Sequence, residues 1–317
     1  MALTGEAAAK IQCNTAEGPA RIWRVETPAR LELFLLECLP NASRESIRRA
    51  LAAGACSVDS VVRPSGFRLV AGSVVALDPD ARITEVCPES IPLEILYEDS
   101  ELIAINKPSG MLVHPTGRER TGTVANALRG MGFLSPHILH RLDRDTSGVL
   151  LTAKRLPRHS PLARMFAARE VEKRYLAVVA APVPWERQVL TSPIGRDPER
   201  RPQWKLMASG APAETRLSVL ARDGAAVLLE VQPVTGRTNQ IRIHCAAAGH
   251  PLLGDKVYGG PPAGRLMLHA WTLEIPVFPT GRRLIVAPPP GDFGCLTVSG
   301  ILAGTPRRPG PGNSRVR

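Results

Sequence analysis

From Pro92 onward the sequence reads as a succession of short strands joined by tight turns, and this limits the fold more than any other feature. Leu93–Tyr97 and Leu102–Asn106 flank the turn Glu98-Asp99-Ser100, and Lys107-Pro108-Ser109-Gly110 forms a second turn. Strand-like segments recur at Gly148–Thr152, Arg174–Ala180, Thr215–Ala221 and Ala226–Gln232, whereas helical patterns are confined to Gly122–Arg129, Ser160–Ala168 and Thr238–Ala247. Many hairpins with few helices predict an α+β domain built on a long mixed, mostly antiparallel sheet. The 317 residues suffice for about two domains.

Residues 28–78 read as a separate small unit. Leu31, Leu33, Leu35, Leu36 and Leu39 predict a short buried helix that ends before Pro40. Ser43 is a good N-cap for a second helix, with Glu45 favoured in its first turn by the helix dipole and Gly54 as its stop. Ile47 and Leu51 share one face of that helix, while Arg44 and Arg48 lie at i, i+4 on another, with Arg49 about a hundred degrees round. Ala55–Val58, the turn Asp59-Ser60 and Val61-Val62 then form a hairpin. Residues 1–27 read as a leader without fixed structure, 79–91 as a linker, 92–300 as the second domain and 301–317 as a disordered basic tail.

A formal net charge of +11 points to a polyanionic partner, nucleic acid before an anionic membrane. Met1–Ala20 lacks an apolar core, so no secretory signal is expected, and no apolar run is long enough to span a membrane. The six cysteines are scattered without a C-x-x-C pair, which argues against a zinc site and fits reduced thiols in a cytoplasm. The histidines lack ligand spacing, and no phosphate-binding loop or dinucleotide fingerprint occurs, so neither a metal nor a cofactor is expected.

The candidate chemistry sits in His140-Arg141-Leu142-Asp143-Arg144-Asp145-Thr146-Ser147-Gly148. It places the Asp143 carboxylate between two arginines, ahead of Val149-Leu150-Leu151. Flanking cations are expected to lower its pKa and keep it ionised, ready to attack an electron-poor carbon or to stabilise a cation. The alternative is a structural ion pair at a sheet edge. Tyr175, on an alternating segment, could stack on a base and move a proton, or be a core tyrosine with a satisfied hydroxyl.

His-Arg-Leu-Asp-x-x-Thr-Ser-Gly resembles the signature of the RluA-type pseudouridine synthases, in which the Asp is the nucleophile. The run from Glu98 to Pro115 is similar to the family's opening motif, and Lys173–Val178, Thr235–His244, Gly249–Gly259, Arg265–Ala270 and Ala287–Phe293 follow in the family's order over about residues 92–293. The resemblance implies that Asp143 attacks, that Tyr175 stacks on the uracil and takes the proton from carbon 5, and that Arg242 pairs with Asp143, a pairing expected to be bidentate. It also puts Leu268 beside the base. Arg141 is expected to contact substrate, and Arg237 to bind phosphate or stabilise its turn. Asn239 stands where the family usually has His, so this position cannot titrate near neutrality.

Arg30–Leu77 resembles the RNA-binding module named after small-subunit ribosomal protein S-four, which implies that Arg44, Arg48 and Arg49 meet phosphates. Together the resemblances imply a cofactor-free isomerase, acting as a monomer on an extruded uridine, most readily in large-subunit ribosomal RNA. Transfer RNA, or both RNAs, is the alternative substrate. From another class the alternative is a non-catalytic RNA-binding or assembly protein. A glycoside hydrolase using Asp143 and Asp145 is disfavoured, because side chains at i and i+2 lie too close for a standard carboxylate pair.

Overall fold

The computed structural model describes residues 21–39, 42–81, 83, 86–116, 119–133, 137–154, 164–166, 168–200, 203–276 and 281–293. The expected tail and most of the leader and of the predicted helix Ser160–Ala168 lie outside the described residues. Two compact units emerge. The first takes Met1–Pro92 with His114–His137 and Ala153–Ser160, and the second takes Leu93–Val113, Ile138–Thr152 and Pro161–Arg317.

The N-terminal stretch of the first unit forms β1 (Arg21–Arg24), β2 (Ala29–Arg30), α1 (Leu31–Cys38), α2 (Arg44–Ala52), β3 (Cys56–Val58), β4 (Val61–Val62), β5 (Arg68–Leu69) and β6 (Val74–Leu77). The Ser43 side chain caps α2 by accepting from the Ser46 N–H, as its position predicts. Leu31 and Leu35 of α1 and Ile47 and Leu51 of α2 pack with Trp23, Val58, Val75 and Leu77 of the sheet β1-β6-β3-β4. The leader expectation is corrected at Arg21–Arg24. This segment is a strand antiparallel to β6, with Trp23 opposite Val75 and only 6% exposed. One inward aromatic between two outward arginines is too short a pattern to announce a strand. The expected linker is also more engaged than its composition suggests. Glu89 N donates to Asn126 O, and Asn126 Nδ2 donates to Cys87 O, fastening this segment to the helix α3 (Val124–Gly130), which lies in the second domain's expected range but in the first unit. That helix is capped reciprocally by Thr123 and Asn126.

The chain continues with β7 (Glu94–Glu98), β8 (Leu102–Lys107), α3 (Val124–Gly130), β9 (His137–Ile138), β10 (Ser147–Ala153), β11 (Glu172–Ala180), β12 (Arg187–Leu190), β13 (Ile194–Arg196), β14 (Trp204–Leu206), β15 (Thr215–Asp223), β16 (Ala226–Pro233), α4 (Gln240–Ala247), β17 (Leu268–Pro276) and β18 (Arg282–Val286). Ten strands form one sheet along the path β12-β15-β16-β11-β17-β10-β8-β7, with β18 on β17 and β9 on β10. The β11–β16, β11–β17, β15–β16 and β7–β8 pairs are antiparallel, whereas β10 runs parallel to β17. The sheet is therefore mixed and mostly antiparallel, as the hairpin pattern predicts.

Both faces of this sheet are covered. Along β11, Ala177 and Val179 join Leu229, Val231 and the α4 residues Ile241 and Cys245 on one side. Leu176 and Val178 join Leu228, Trp271 and Phe293 on the other. Period-two side chains with an apolar layer at each face make a continuously buried strand. All seven residues of β10 are buried for the same reason.

Gly148 enters β10 at φ 110°, and a Cβ there would lie 2.1 Å from Ala270 O on β17. The parallel β10–β17 register, Ser147 opposite His269 and Gly148 opposite Ala270, therefore needs glycine. Gly148→Ala should cost about 3 kcal/mol or more, from backbone strain plus overlap. Denaturant unfolding measures this, and a wild-type midpoint would contradict the close approach.

Candidate active site

A cavity of about 570 Å³ opens in the second unit, lined by the loop ahead of β10, the start of β11, the segment between β16 and α4, and Leu268. That volume is in the range of small-molecule sites. Asp143, Tyr175, Arg242, Arg141, Arg237 and Leu268, all singled out in the sequence, line it together. Arg44, Arg48 and Arg49 belong to the other unit.

The Asp143 loop is gripped through its backbone. Lys107, at the end of β8, is fully buried, and its Nζ donates to the carbonyls of Pro108, Met111 and Arg144 at 2.8 Å each. Gly110 N donates to the same Arg144 carbonyl, and Ser109 Oγ donates to Asp145 O at 2.7 Å. The Lys-Pro-Ser-Gly turn thus fixes the two residues that follow Asp143. Burial pulls the Lys107 pKa down to about 7, opposed by Asp145 and Asp143. Three carbonyl acceptors consume all three N–H bonds of an ammonium, so the geometry is that of the charged lysine.

Asp143 is half-buried, and its burial raises the pKa above the ordinary aspartate value. Arg242, Arg141 and Lys107 pull it back without fully offsetting the desolvation. The expectation of a lowered pKa is therefore corrected. Sequence proximity to arginine reveals the neighbouring charge but not the loss of water.

The bidentate partner of Arg242 also differs from expectation. Its Nε and Nη2 donate to the two carboxylate oxygens of Asp255, both at 2.7 Å. Asp255 is buried and accepts further from the backbone N–H groups of Val257 and Tyr258. The remaining terminal nitrogen, Nη1, donates to Asn239 Oδ1 at 3.3 Å. Arg242 thus acts on Asp143 through its charge while Asp255 holds it in place.

Asn239 precedes α4 in the left-handed conformation, φ 54°, which asparagine tolerates better than most residues. Its side chain makes no cap. Instead it spans Arg242 and the Tyr258 hydroxyl, to which Nδ2 donates at 3.1 Å. The next residue organises the loop. Gln240 Oε1 accepts from Thr235 Oγ1 and Arg237 N, and its Nε2 donates to Glu214 O and Thr215 Oγ1.

Tyr175 and Leu268 line the same cavity. Burial, reinforced by the Asp143 charge, holds the Tyr175 phenol above its ordinary pKa, so it is neutral at physiological pH. Leu268 is 3% exposed and supplies an apolar wall. Arg141 is exposed at the cavity, whereas Arg237 donates from Nε to Pro212 O and so stabilises its turn. In the first unit, Arg44 and Arg48 each donate from Nε to one oxygen of Glu32, at 2.5 and 3.0 Å, and Arg49 is exposed. Lys107, Asp255 and Gln240 were missed as functional supports, although each lies in a motif visible in the sequence. Among the described residues no group of three or more His, Cys, Asp or Glu could hold a metal ion, and no helix is long and apolar enough to cross a membrane.

A cavity lined by an aromatic ring, an apolar side chain, a carboxylate and a guanidinium suits a neutral, flat ring that offers polar atoms at its edge. Residues 101–247 match the family model for RNA pseudouridylate synthase. Ribosomal large subunit pseudouridine synthase D of Nitrosomonas europaea is 35% identical over 286 residues, 84% of this chain and 83% of that protein. An uncharacterized RNA pseudouridine synthase of Aquifex aeolicus is 37% identical over 242 residues, 73% of this chain and 77% of its own. Among solved structures, human RNA pseudouridylate synthase domain-containing protein 1 superposes with a TM-score of 0.53 at 29% identity, covering 63% of this chain and 84% of that one.

Two substitutions should move stability differently. Asp255→Asn leaves a buried guanidinium without its counter-charge and should cost about 3 kcal/mol. Asp143 has a folded pKa above its unfolded value, so its protonated form is the one folding favours, and that stability is lost as pH rises through the folded pKa. Asp143→Asn should therefore be at least as stable as wild type at neutral pH. Denaturant titrations of both variants check this, and a destabilised Asp143→Asn or an unaffected Asp255→Asn would contradict the electrostatics.

Proposed function

The chain belongs to the RluA-type RNA pseudouridylate synthases, and within that family we propose that it isomerises uridines of large-subunit ribosomal RNA with Asp143 as nucleophile. The observation that carries this reading is the convergence of Asp143, Tyr175, Arg242 and Leu268 on one cavity from four separate segments. The ribosomal substrate is taken from relatives named for the large ribosomal subunit, which cover most of the chain. Such a substrate implies a cytoplasmic protein.

In the proposed reaction the target uridine leaves its stack and enters the cavity. The Asp143 carboxylate attacks carbon 1′ of the ribose, and the glycosidic electron pair leaves with uracil N1. The freed uracil, held between Tyr175 and Leu268, turns until carbon 5 faces carbon 1′. Carbon 5 then displaces the carboxylate, N1 takes up a proton, and the carbon 5 proton is lost. Tyr175 accepts that proton while passing its own to Asp143, which is free again as a carboxylate and already interacts with the phenol; Asp143 then releases the proton to solvent in exchange for the one N1 takes up, so both residues regain their starting forms. Atoms are conserved and nothing is oxidised, so the reaction needs no cofactor. Arg242, held by Asp255, keeps Asp143 in its ionised, nucleophilic form. Residues 28–78 serve as the RNA-holding module, with the terminal nitrogens of Arg44 and Arg48 and the whole of Arg49 turned to phosphates.

Asp143→Ala should abolish pseudouridine formation while RNA binding survives, and Arg242→Lys should lower turnover by about one to three orders of magnitude. Tyr175→Phe should bind RNA without forming product. Single-turnover assays on transcribed large-subunit ribosomal RNA measure all three, and substantial turnover by Asp143→Ala would refute the nucleophile. Replacing Arg44, Arg48 and Arg49 together by Ala should weaken RNA binding and reduce its salt dependence, by roughly 0.7 to 0.9 in log–log slope for each lost phosphate contact. An unchanged slope would remove these residues from the interface.

A further inference from the structure

Lys173 lies on β11 two residues before Tyr175, and both side chains line the cavity. Its half-buried ammonium stands 5.3 Å from the centroid of the Phe166 ring. It makes no ion pair or hydrogen bond from Nζ among the described residues. His140, stacked on Phe166 with ring centroids 5.0 Å apart, cannot serve as counter-charge. Burial pushes that imidazole down to about 3, so it is neutral, and its Nε2 accepts from Leu151 N.

The other cations of the cavity are provided for. Arg242 is held by Asp255, Arg237 is tied by Nε to a carbonyl, and Arg141 and Arg169 are exposed to water. Lys173 is partly withdrawn from water without an acidic partner among the described residues, and burial lowers its pKa below the ordinary lysine range. A charge held in this way is costly unless an anion joins it. Uracil and ribose carry no charge, so the anions that an RNA brings to this cavity are its phosphodiesters. A phosphate beside Lys173 would supply the missing partner and exploit the low local dielectric. The aromatic face of Phe166 stabilises the ammonium in the meantime by a cation–π contact.

We propose that Lys173 is a phosphate-binding residue of the cavity, its Nζ taking a phosphodiester that adjoins the uridine bound there. This rests on the reading that the cavity receives a uridine from RNA. Tyr175 would then hold the base and Lys173 the backbone from one strand face, fixing the distance between ring and phosphate. That spacing sets where carbon 1′ lies relative to Asp143.

The test uses the full chain and short RNAs carrying a mapped target uridine, made with a natural phosphate or a neutral methylphosphonate on either side of it. Lys173→Met should fold at least as stably as wild type, because it removes an unpartnered buried charge. It should raise the KM for natural RNA by roughly tenfold to a hundredfold, with Lys173→Arg recovering part of the loss. Wild type should lose affinity for one of the two methylphosphonate RNAs. Lys173→Met should lose nothing further on that RNA, since the contact is already absent. Additive losses at both positions, or wild-type KM in Lys173→Met, would overturn the assignment while leaving the synthase reading intact. If wild type forms no pseudouridine in ribosomal or transfer RNA, the reading of the cavity falls and Lys173 with it.

Discussion

The site depends on one buried ion pair. Arg242 and Asp255 meet through two 2.7 Å hydrogen bonds, one residue on α4 and the other in the segment before β17. A paired charge of this kind contributes little net stability beyond what its own desolvation costs. Its value lies in placement. The pair fixes a guanidinium beside Asp143 without giving it to Asp143, so the carboxylate feels a strong positive potential yet keeps its oxygens free to react. Full bidentate pairing between Arg242 and Asp143 would have occupied the oxygens that the chemistry needs.

The fold supplies the remaining geometry from opposite directions. The central strands β10, β11 and β17 are buried on both faces, so the residues at their ends are held by an extensive core. Asp143 hangs on a loop that Lys107, Ser109 and Gly110 grasp by its carbonyls, and Gly148 allows the following strand to run against β17. Asn239 gives a physical reason why the usual histidine is dispensable here. Its amide accepts from Arg242 and donates to Tyr258 at once, a division of roles that does not change with pH. Asn239 joins the Arg242 clamp without adding a titrating group beside it.

The strands of the second unit were legible because their apolar residues alternate and their turns carry Pro, Gly, Asp and Asn. Helix α2 was legible from the Ser43 cap and the Ile47/Leu51 stripe. The convergence of Asp143, Tyr175, Arg242 and Leu268 followed from motif order. Arg21–Arg24 was not legible, since a single inward tryptophan is no pattern. Nor was the choice of Asp255 over Asp143 as the partner of Arg242, because that choice depends on which carboxylate lies in the plane of the fork. The raised pKa of Asp143 escaped for a related reason. The sequence shows the arginines around it but not the water that folding removes. Glu32, which gathers Arg44 and Arg48, sits on the preceding helix, where its reach to α2 shows only once the two helices pack.

Burial raises the proton affinity of the nucleophilic Asp143, and Arg242 restrains it. The pH dependence of single-turnover pseudouridine formation tests this most directly, in wild type and in Arg242→Gln. The wild-type acid limb should lie above the ordinary aspartate value of 3.8, and that of the slower variant at still higher pH, because a restraining charge has been removed. A wild-type limb at or below the ordinary value, or one that stays in place when Arg242 is neutralised, would contradict it.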